Sequence, residues 1–461
     1  MNLSFLAAVL NVLNPSQANL NLDAVLRDVD RAFPKLMATR LEAAVARAKS
    51  QEKRGAFDPV LSFDTEFLRY NSSSDPGKAK TTSMSDAVVE VLDRSGVKFS
   101  VGGRLNRGAV KSPASFTGSS GEYFVSAKIP LLRDRINNAK TVAEQQALLG
   151  EPIADQFIRE AQLGLFEKAG AAYWELVGAK AKLDVAARLL KVATDRAEYI
   201  RERIAKGANP PIDQQEANAE VARRQGGLDK AERDVQKAEI KLGLYRWRED
   251  GSTIDVSRTQ VNVSDLEGRS AVVDAKKARD TATQDRPELL ALRLSQQVLG
   301  LELGLAQNDR KPGLDLVIGP GLDLGADSIG NTMKAGVFYT IPLRQNSADG
   351  RINATKSKLQ KLDLEYKQLE RAVQIEVNDA LSALAQTEKR VGAAVEEVAA
   401  NLAVEEGEKI KFLEGASTLF LVNQRERARA ESESRLIEVK VELQLARLAL
   451  LASTAQLGGA K

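Results

Sequence analysis

Residues 412–426 read FLEGASTLFLVNQRE, and this stretch predicts two helices joined by a tight turn. Gly415 suits the position just after a helix, where the backbone often adopts a left-handed conformation. Ser417 or Thr418 then offers a side-chain oxygen that can cap the next helix. A similar turn occurs earlier in the chain, where Gly207 ends one helix and Asn209 is expected to cap the next. The chain is therefore predicted to contain two helical hairpins.

The segments beside these turns carry apolar seams. Their apolar residues recur at steps of three and four, which is typical of helices that pack as coiled coils. The seams comprise Leu183, Ala186, Leu190, Ala193, Ala197, Ile200 and Ile204 in the first half, and Val391, Val395, Val398 and Leu402, then Leu436, Val439, Leu443, Ala446 and Leu450, in the second. We predict helices over 24–56, 132–206 and 212–246, with a kink at Pro152.

Between the helical segments the apolar period changes to two. Apolar residues alternate with more polar ones over 97–106 and 123–129, and again over 314–319 and 332–341. This alternation predicts strands with one apolar and one polar face. Aromatic residues concentrate in 57–124 and 312–345, which fits strands at a membrane interface, although a soluble β-sandwich would have similar aromatics. Residues 71–86 are interpreted as an exposed extracellular loop.

Five tripeptides recur in the same order in the two halves, which indicates a duplication. We predict a first repeat over 19–247 with an insertion at 71–121, a connector over 248–284 and a second repeat over 285–461 with strands at about 312–342. The paired landmarks are Pro34-Lys35-Leu36 and Pro287-Glu288-Leu289, Pro59-Val60-Leu61 and Pro312-Gly313-Leu314, Ile129-Pro130-Leu131 and Ile341-Pro342-Leu343, Arg135-Ile136-Asn137 and Arg351-Ile352-Asn353, and Lys206-Gly207-Ala208 and Glu414-Gly415-Ala416.

The amino terminus has the features of a secretory signal. Residues 3–13 form a short apolar run, and Ser16-Gln17-Ala18 gives a small-x-small triplet before Asn19. No lysine or arginine precedes the run, and a buried first helix is the alternative interpretation. We predict a signal peptide over 1–18.

Composition and charge exclude several classes of function. The chain of 461 residues has 66 Lys and Arg against 63 Asp and Glu, which argues against a nucleic-acid partner bound by bulk charge. It has no histidine and no cysteine, so it lacks disulfides, Cys or His zinc sites and every Ser-His or Cys-His triad. We predict no catalytic residues, no cofactor and no metal site. An enzyme is therefore the weaker interpretation and we predict none, while a hydrolase built on carboxylates alone stays open.

Taken together, this order of helices, strand ends and Gly-Ala turns resembles the TolC family of outer-membrane efflux and secretion channels. The stretch 412–426 resembles the turn of that family's second repeat, and Arg286-Pro287-Glu288-Leu289 resembles the opening of that repeat. The resemblance covers most of residues 20–457 and rests on the ordered set of motifs.

The resemblance implies a mainly α fold with a membrane β-barrel. A duplicated helix–strand–strand–helix repeat would form it, with long coiled-coil helices building a tunnel across the periplasm. Three protomers would each give four strands to a shared barrel of twelve in outer-membrane lipid. A few strands with open edges cannot lie in a bilayer, so closure by other copies is also expected on physical grounds.

The same resemblance implies partners and site residues. Its function would be a passive duct in a tripartite efflux or type I secretion system, joined by a periplasmic adaptor to an inner-membrane pump. The tip turns that would dock the adaptor are Lys206, Gly207, Ala208, Glu414, Gly415 and Ala416. The periplasmic entrance would be lined by Asp213, Glu216, Leu421 and Gln424, of which the last two replace acids found in other members. Asp213 is alternatively a carboxylate that stabilises a helix start.

The competing interpretation is a periplasmic coiled-coil adaptor or a structural scaffold of the envelope. Such a protein is expected to lack paired strand hairpins within both repeats, which the alternating segments here predict.

Overall fold

The computed structural model describes residues 20–71, 76–111, 114–257, 260–268 and 273–458. The predicted signal peptide and its cleavage after Ala18 lie outside the described residues.

Long helices make up most of the described chain. The helices are α1 (Leu22–Ala32), α2 (Pro34–Arg54), α3 (Ala139–Ala205), α4 (Ile212–Gly243), α5 (Ala275–Asp285), α6 (Pro287–Asp309), α7 (Asn346–Leu413) and α8 (Leu419–Ser453). α3 and α4 flank the first tip turn, and α7 and α8 flank the second. The predicted apolar seams lie in α3, α7 and α8, of which α3 and α7 are the longest of these helices.

Two helix predictions need correction. The first helix is divided at Phe33, because Pro34 lacks an N–H and disfavours a helical conformation in the residue before it. α3 begins at Ala139 rather than 132, with the Asn138 side chain accepting a hydrogen bond from the Thr141 N–H at 2.9 Å. Most of α5 lies within the predicted connector, and its first N–H groups are capped by Asp274.

The strands form one antiparallel sheet in chain order. It runs β1 (Val60–Asn71), β2 (Ala79–Leu92), β3 (Lys98–Gly108), β4 (Gly121–Pro130), β5 (Gly313–Leu324) and β6 (Asn331–Thr340). β3 to β6 confirm the four alternating segments. The extracellular loop predicted over 71–86 is wrong in its second half, since β2 begins at Ala79. The prediction of four strands per protomer is also wrong, because this sheet has six.

Two compact units divide the described residues. The first comprises 20–41, 156–290 and 368–458, and the second comprises 42–155 and 291–367, which includes the whole sheet. The core of the first unit centres on Tyr173, which is fully buried and donates a hydrogen bond to Asp265 Oδ2 at 3.0 Å. Gly178 lets α3 approach α8 closely, because a Cβ there would lie 2.5 Å from Val441.

Candidate functional site

The sheet has one apolar face that is exposed along its whole width. Strand register places Phe63, Ala87, Gly103 and Tyr123 in one row, and the next strands continue the same face. The large exposed side chains of this face are Leu61, Phe63, Phe67, Val89, Phe99, Val101, Tyr123, Val125, Ile318, Leu322, Met333, Val337 and Tyr339. Exposed apolar surface of this extent marks a surface that is covered in the functional state.

The opposite face of the sheet is polar and carries ion pairs between neighbouring strands. Lys98 Nζ lies 2.5 Å from Glu90 Oε2, and Lys128 Nζ lies 2.9 Å from Asp315 Oδ2. Arg104 pairs with Glu122 at 3.3 Å. An apolar outer face with a charged inner face is the pattern of a β-barrel that encloses water.

Both predicted tip turns have the same backbone geometry. Gly207 and Gly415 have φ of 69° and 77°, in the left-handed region. The Ala208 N–H donates to Arg203 O and the Ala416 N–H donates to Lys411 O, each at 2.8 Å, which closes the end of the preceding helix. A Cβ on either glycine would meet no atom of the described residues within 4 Å, so there is open space beside both turns.

The helices that follow the two turns, α4 and α8, begin with different capping interactions. Thr418 caps α8 as predicted, accepting from the Leu421 N–H. Asn209 does not cap α4, so that prediction is wrong: α4 begins only at Ile212, after Pro210 and Pro211. The Asn209 side chain instead accepts from Arg203 Nε at 2.6 Å and donates to Asp213 Oδ2 at 2.7 Å.

The four predicted entrance residues do not form one cluster. Asp213 is half-buried and bound to its own turn through Asn209. Glu216 is half-buried and accepts from Asn423 Nδ2 of α8 at 3.4 Å. Leu421 and Gln424 are exposed on α8. The structure thus brings Glu216 to α8, while the lining of an entrance by these residues stays a prediction.

A cluster of buried carboxylates lies between the helices near the turns, and the sequence analysis missed it. Arg196 of α3 donates to Glu426 of α8 through both terminal nitrogens, Nη1 at 2.7 Å from Oε2, and also to Asn423 Oδ1 at 2.9 Å. Lys409 of α7 lies 2.5 Å from Glu405 and 3.4 Å from Glu426. Glu220 of α4 pairs with Arg224 at 2.7 Å and with Arg427 of α8.

This network, the carboxylate cluster of Glu220, Glu405 and Glu426, joins the two hairpins. Burial alone raises the pKa of Glu426, but the hydrogen bonds and charge of Arg196, with Lys409, outweigh burial and hold the pKa below its ordinary value. The carboxylate is therefore ionised in the folded protein at neutral pH. A signal existed in the sequence: Glu405 is the next position of the seam Val391, Val395, Val398, Leu402, where an apolar residue is the rule.

Within the described residues, no group of three Asp or Glu side chains could hold a metal ion. In the same residues one helix, α6, is long and apolar enough to cross a membrane, with mean hydropathy 1.2, and a single such helix is weak evidence of a span.

Comparison with solved structures identifies the fold. The chain is similar to CusC, whose structures describe transmembrane channel formation, with a TM-score of 0.68, 14% identity and coverage of 94% of this chain and 91% of CusC. A membrane protein from Pseudomonas aeruginosa has a TM-score of 0.67 and 16% identity, with coverage of 96% of this chain and 94% of that protein. The open state of the Neisseria gonorrhoeae MtrE outer membrane channel has a TM-score of 0.63 and 16% identity, with coverage of 96% of this chain and 90% of MtrE.

No protein-family model and no curated protein matches the sequence. The structural likeness nevertheless covers nearly the whole chain, and it confirms the TolC-like fold of helical hairpins and membrane sheet that the sequence predicts.

Proposed function

We propose, taking the fold shared with outer-membrane channels as the premise, that this chain is a passive export duct of the bacterial outer membrane. Three copies would close a barrel in the lipid and a tunnel in the periplasm. A periplasmic adaptor would dock at the tip turns and link the duct to an inner-membrane pump, in an efflux or type I secretion system.

One observation carries the proposal: each of the six strands exposes large apolar side chains on the same face of one continuous sheet. Exposure of this apolar surface to water would cost free energy in proportion to its area. Contact with the acyl chains of lipid removes that cost. The alternative, a coiled-coil adaptor or scaffold in the periplasm, leaves this face without a partner.

Two neighbouring residues of β6 test the proposal with a matched pair of variants. Val337 lies on the apolar face and is 66% exposed, whereas Phe338 lies on the polar face and is 53% exposed. We expect Val337→Lys to reduce insertion into the outer membrane, since a lysine facing lipid at mid-depth costs about 2–4 kcal/mol. Phe338→Lys should insert normally and alter single-channel conductance in planar bilayers.

The measurements are the amount of protein in the outer-membrane fraction and the conductance of purified protein. Equal insertion of the two variants, or a parent protein that forms no conducting channel, would contradict the proposed function.

A further inference from the structure

The hairpin formed by β2 and β3 has no counterpart among the described residues of the second half of the chain. It lies between β1 and β4, so the first half contributes four neighbouring strands and the second half contributes only β5 and β6. The hairpin occupies the insertion predicted at 71–121.

This inserted hairpin belongs to the membrane face of the sheet. Val89 of β2 is opposite Leu61 of β1 and Val101 of β3, and Val101 is opposite Val125 of β4. All four side chains are exposed on the same apolar face. A hairpin folded into the lumen or above the membrane would not continue the apolar face of its neighbours.

The turn of the hairpin is also built into the helical part of its unit. Arg94 donates to Glu144 of α3 through Nε at 2.8 Å and Nη2 at 2.6 Å, and its carbonyl accepts from Asn138 and Thr141. A Cβ on Gly96 would lie 2.1 Å from Asp134 O. These contacts fix the β2–β3 turn at the helical side of the sheet.

The two edges of the sheet are open and complementary. Among the described residues β1 and β6 each have one neighbouring strand, so each leaves a row of backbone N–H and C=O groups without a strand partner in that part of the chain. Neither strand contains proline, which natural proteins use to protect free edges. With six strands in antiparallel order, β6 runs opposite to β1, so β6 of one copy can pair antiparallel with β1 of the next copy.

We propose that three copies close an eighteen-stranded barrel through β6–β1 pairing between copies, and not the twelve-stranded barrel that four strands per copy would give. This inference rests on the proposed function, because unpaired strand edges are excluded only in lipid. Barrel diameter grows roughly linearly with strand number, so the exit is about 1.5 times as wide as a twelve-stranded one. The barrel therefore accepts cargo that is bulkier than a twelve-stranded exit would pass.

Disulfide cross-linking tests the seam directly, because the chain has no cysteine of its own. Val337→Cys on β6 is combined in turn with Phe63→Cys, Thr65→Cys or Phe67→Cys on β1. The rival set tests a seam between β6 of one copy and β3 of the next, as in a barrel built from β3 to β6 only. It combines Val337→Cys with Phe99→Cys, Val101→Cys or Leu105→Cys on β3. A control pair, Phe63→Cys with Ala87→Cys, lies within one chain at opposed positions of β1 and β2 and should add no mass.

The proteins are oxidised in outer membranes and separated without reductant. We expect at least one β6–β1 cysteine pair to give cross-linked species of two and three chains and none larger. The β6–β3 pairs should give no cross-linked species. A β6–β3 cross-link, or cross-linking that stops at two chains, overturns the eighteen-stranded barrel. So does a Phe63→Cys, Ala87→Cys protein that keeps both thiols free, because in a twelve-stranded barrel of β1, β4, β5 and β6 the strand β2 would not lie beside β1. If no pair links copies while the parent protein still conducts in bilayers, the seam is wrong and the channel function stands.

Discussion

Glu426 is a buried carboxylate that is kept ionised by neighbours from two other helices. Only 4% of it is exposed, and Arg196 and Lys409 both reach it. Removal of one partner of a buried ion pair leaves an uncompensated charge, which costs up to about 3–5 kcal/mol. We expect Arg196→Met to lower the thermal unfolding midpoint clearly, by calorimetry in detergent.

The matched control is Lys182→Met. Lys182 and Glu438 also join α3 and α8, at 2.6 Å, but both side chains are exposed, and such pairs contribute about 0–1 kcal/mol. Equal effects of the two variants would contradict the importance of the buried carboxylate.

The same pair predicts a pH dependence. The folded-state pKa of Glu426 lies below its ordinary value of 4.5, so its pairing stabilises the fold above pH 4.5 and is lost as pH falls through the folded-state pKa. The difference in unfolding midpoint between the parent and Arg196→Met should therefore shrink in acid. A difference that stays constant from pH 7 to below 4 would show that the charge of Glu426 is not responsible.

Asp213 and Glu216 are predicted to set the ion preference of the tunnel entrance. They lie three apart on α4, and a trimer would bring three copies of each toward one axis. Acidic rings attract cations, and salt screens them over about 10 Å at 0.1 M. We expect Asp213→Asn with Glu216→Gln to lose cation preference in planar bilayers at low salt, and Asp229→Asn farther along α4 to retain it. An unchanged reversal potential in the double variant favours Asp213 as a helix-start carboxylate only.

At the scale of the element, the tip turns are the best candidates for a docking site. Gly207 and Gly415 have positive φ, and a Cβ at either position would meet no atom of the described residues within 4 Å. Replacing both with valine penalises the left-handed conformation by about 1–2 kcal/mol each and adds bulk to the turns. We expect export and adaptor co-purification to fall while the channel remains abundant in the membrane.

Gly392→Val is the control, because this glycine lies inside α7 with open space around it. Export by the Gly392→Val variant should match export by the parent protein. Unchanged export in the Gly207→Val, Gly415→Val variant would reject the docking role.

For the whole molecule, closure of the barrel and much of the helix packing are predicted to depend on other copies. The open sheet edges and the exposed apolar residues of α7, such as Val395 at 47%, are not covered by any other part of the described chain. We therefore expect native mass spectrometry in mild detergent to show a stable trimer. A β-rich monomer would contradict this prediction.

The long helices, the tip glycines and β3 to β6 could all be predicted from the order of the amino acids. Each rests on a period or a turn residue that can be read within one segment, because side chains recur on a face at 3.6 or 2 residues and only glycine adopts positive φ freely. These signals sufficed for the TolC-like fold.

The number of strands and the burial of the charges depend on contacts that form only in the folded chain. The first half of β2, with Thr81, Thr82, Ser83 and Ser85, has the composition of a loop, and it becomes a strand because β1 and β3 pair with it on both sides. The buried acids are paired across helices: α3 brings Arg196 to Glu426, and α8 brings Arg427 to Glu220 and Arg429 to Glu405. The seam position marks Glu405 as facing inward, but these partners are distant in the chain, and a local pattern carries no information about where they will lie.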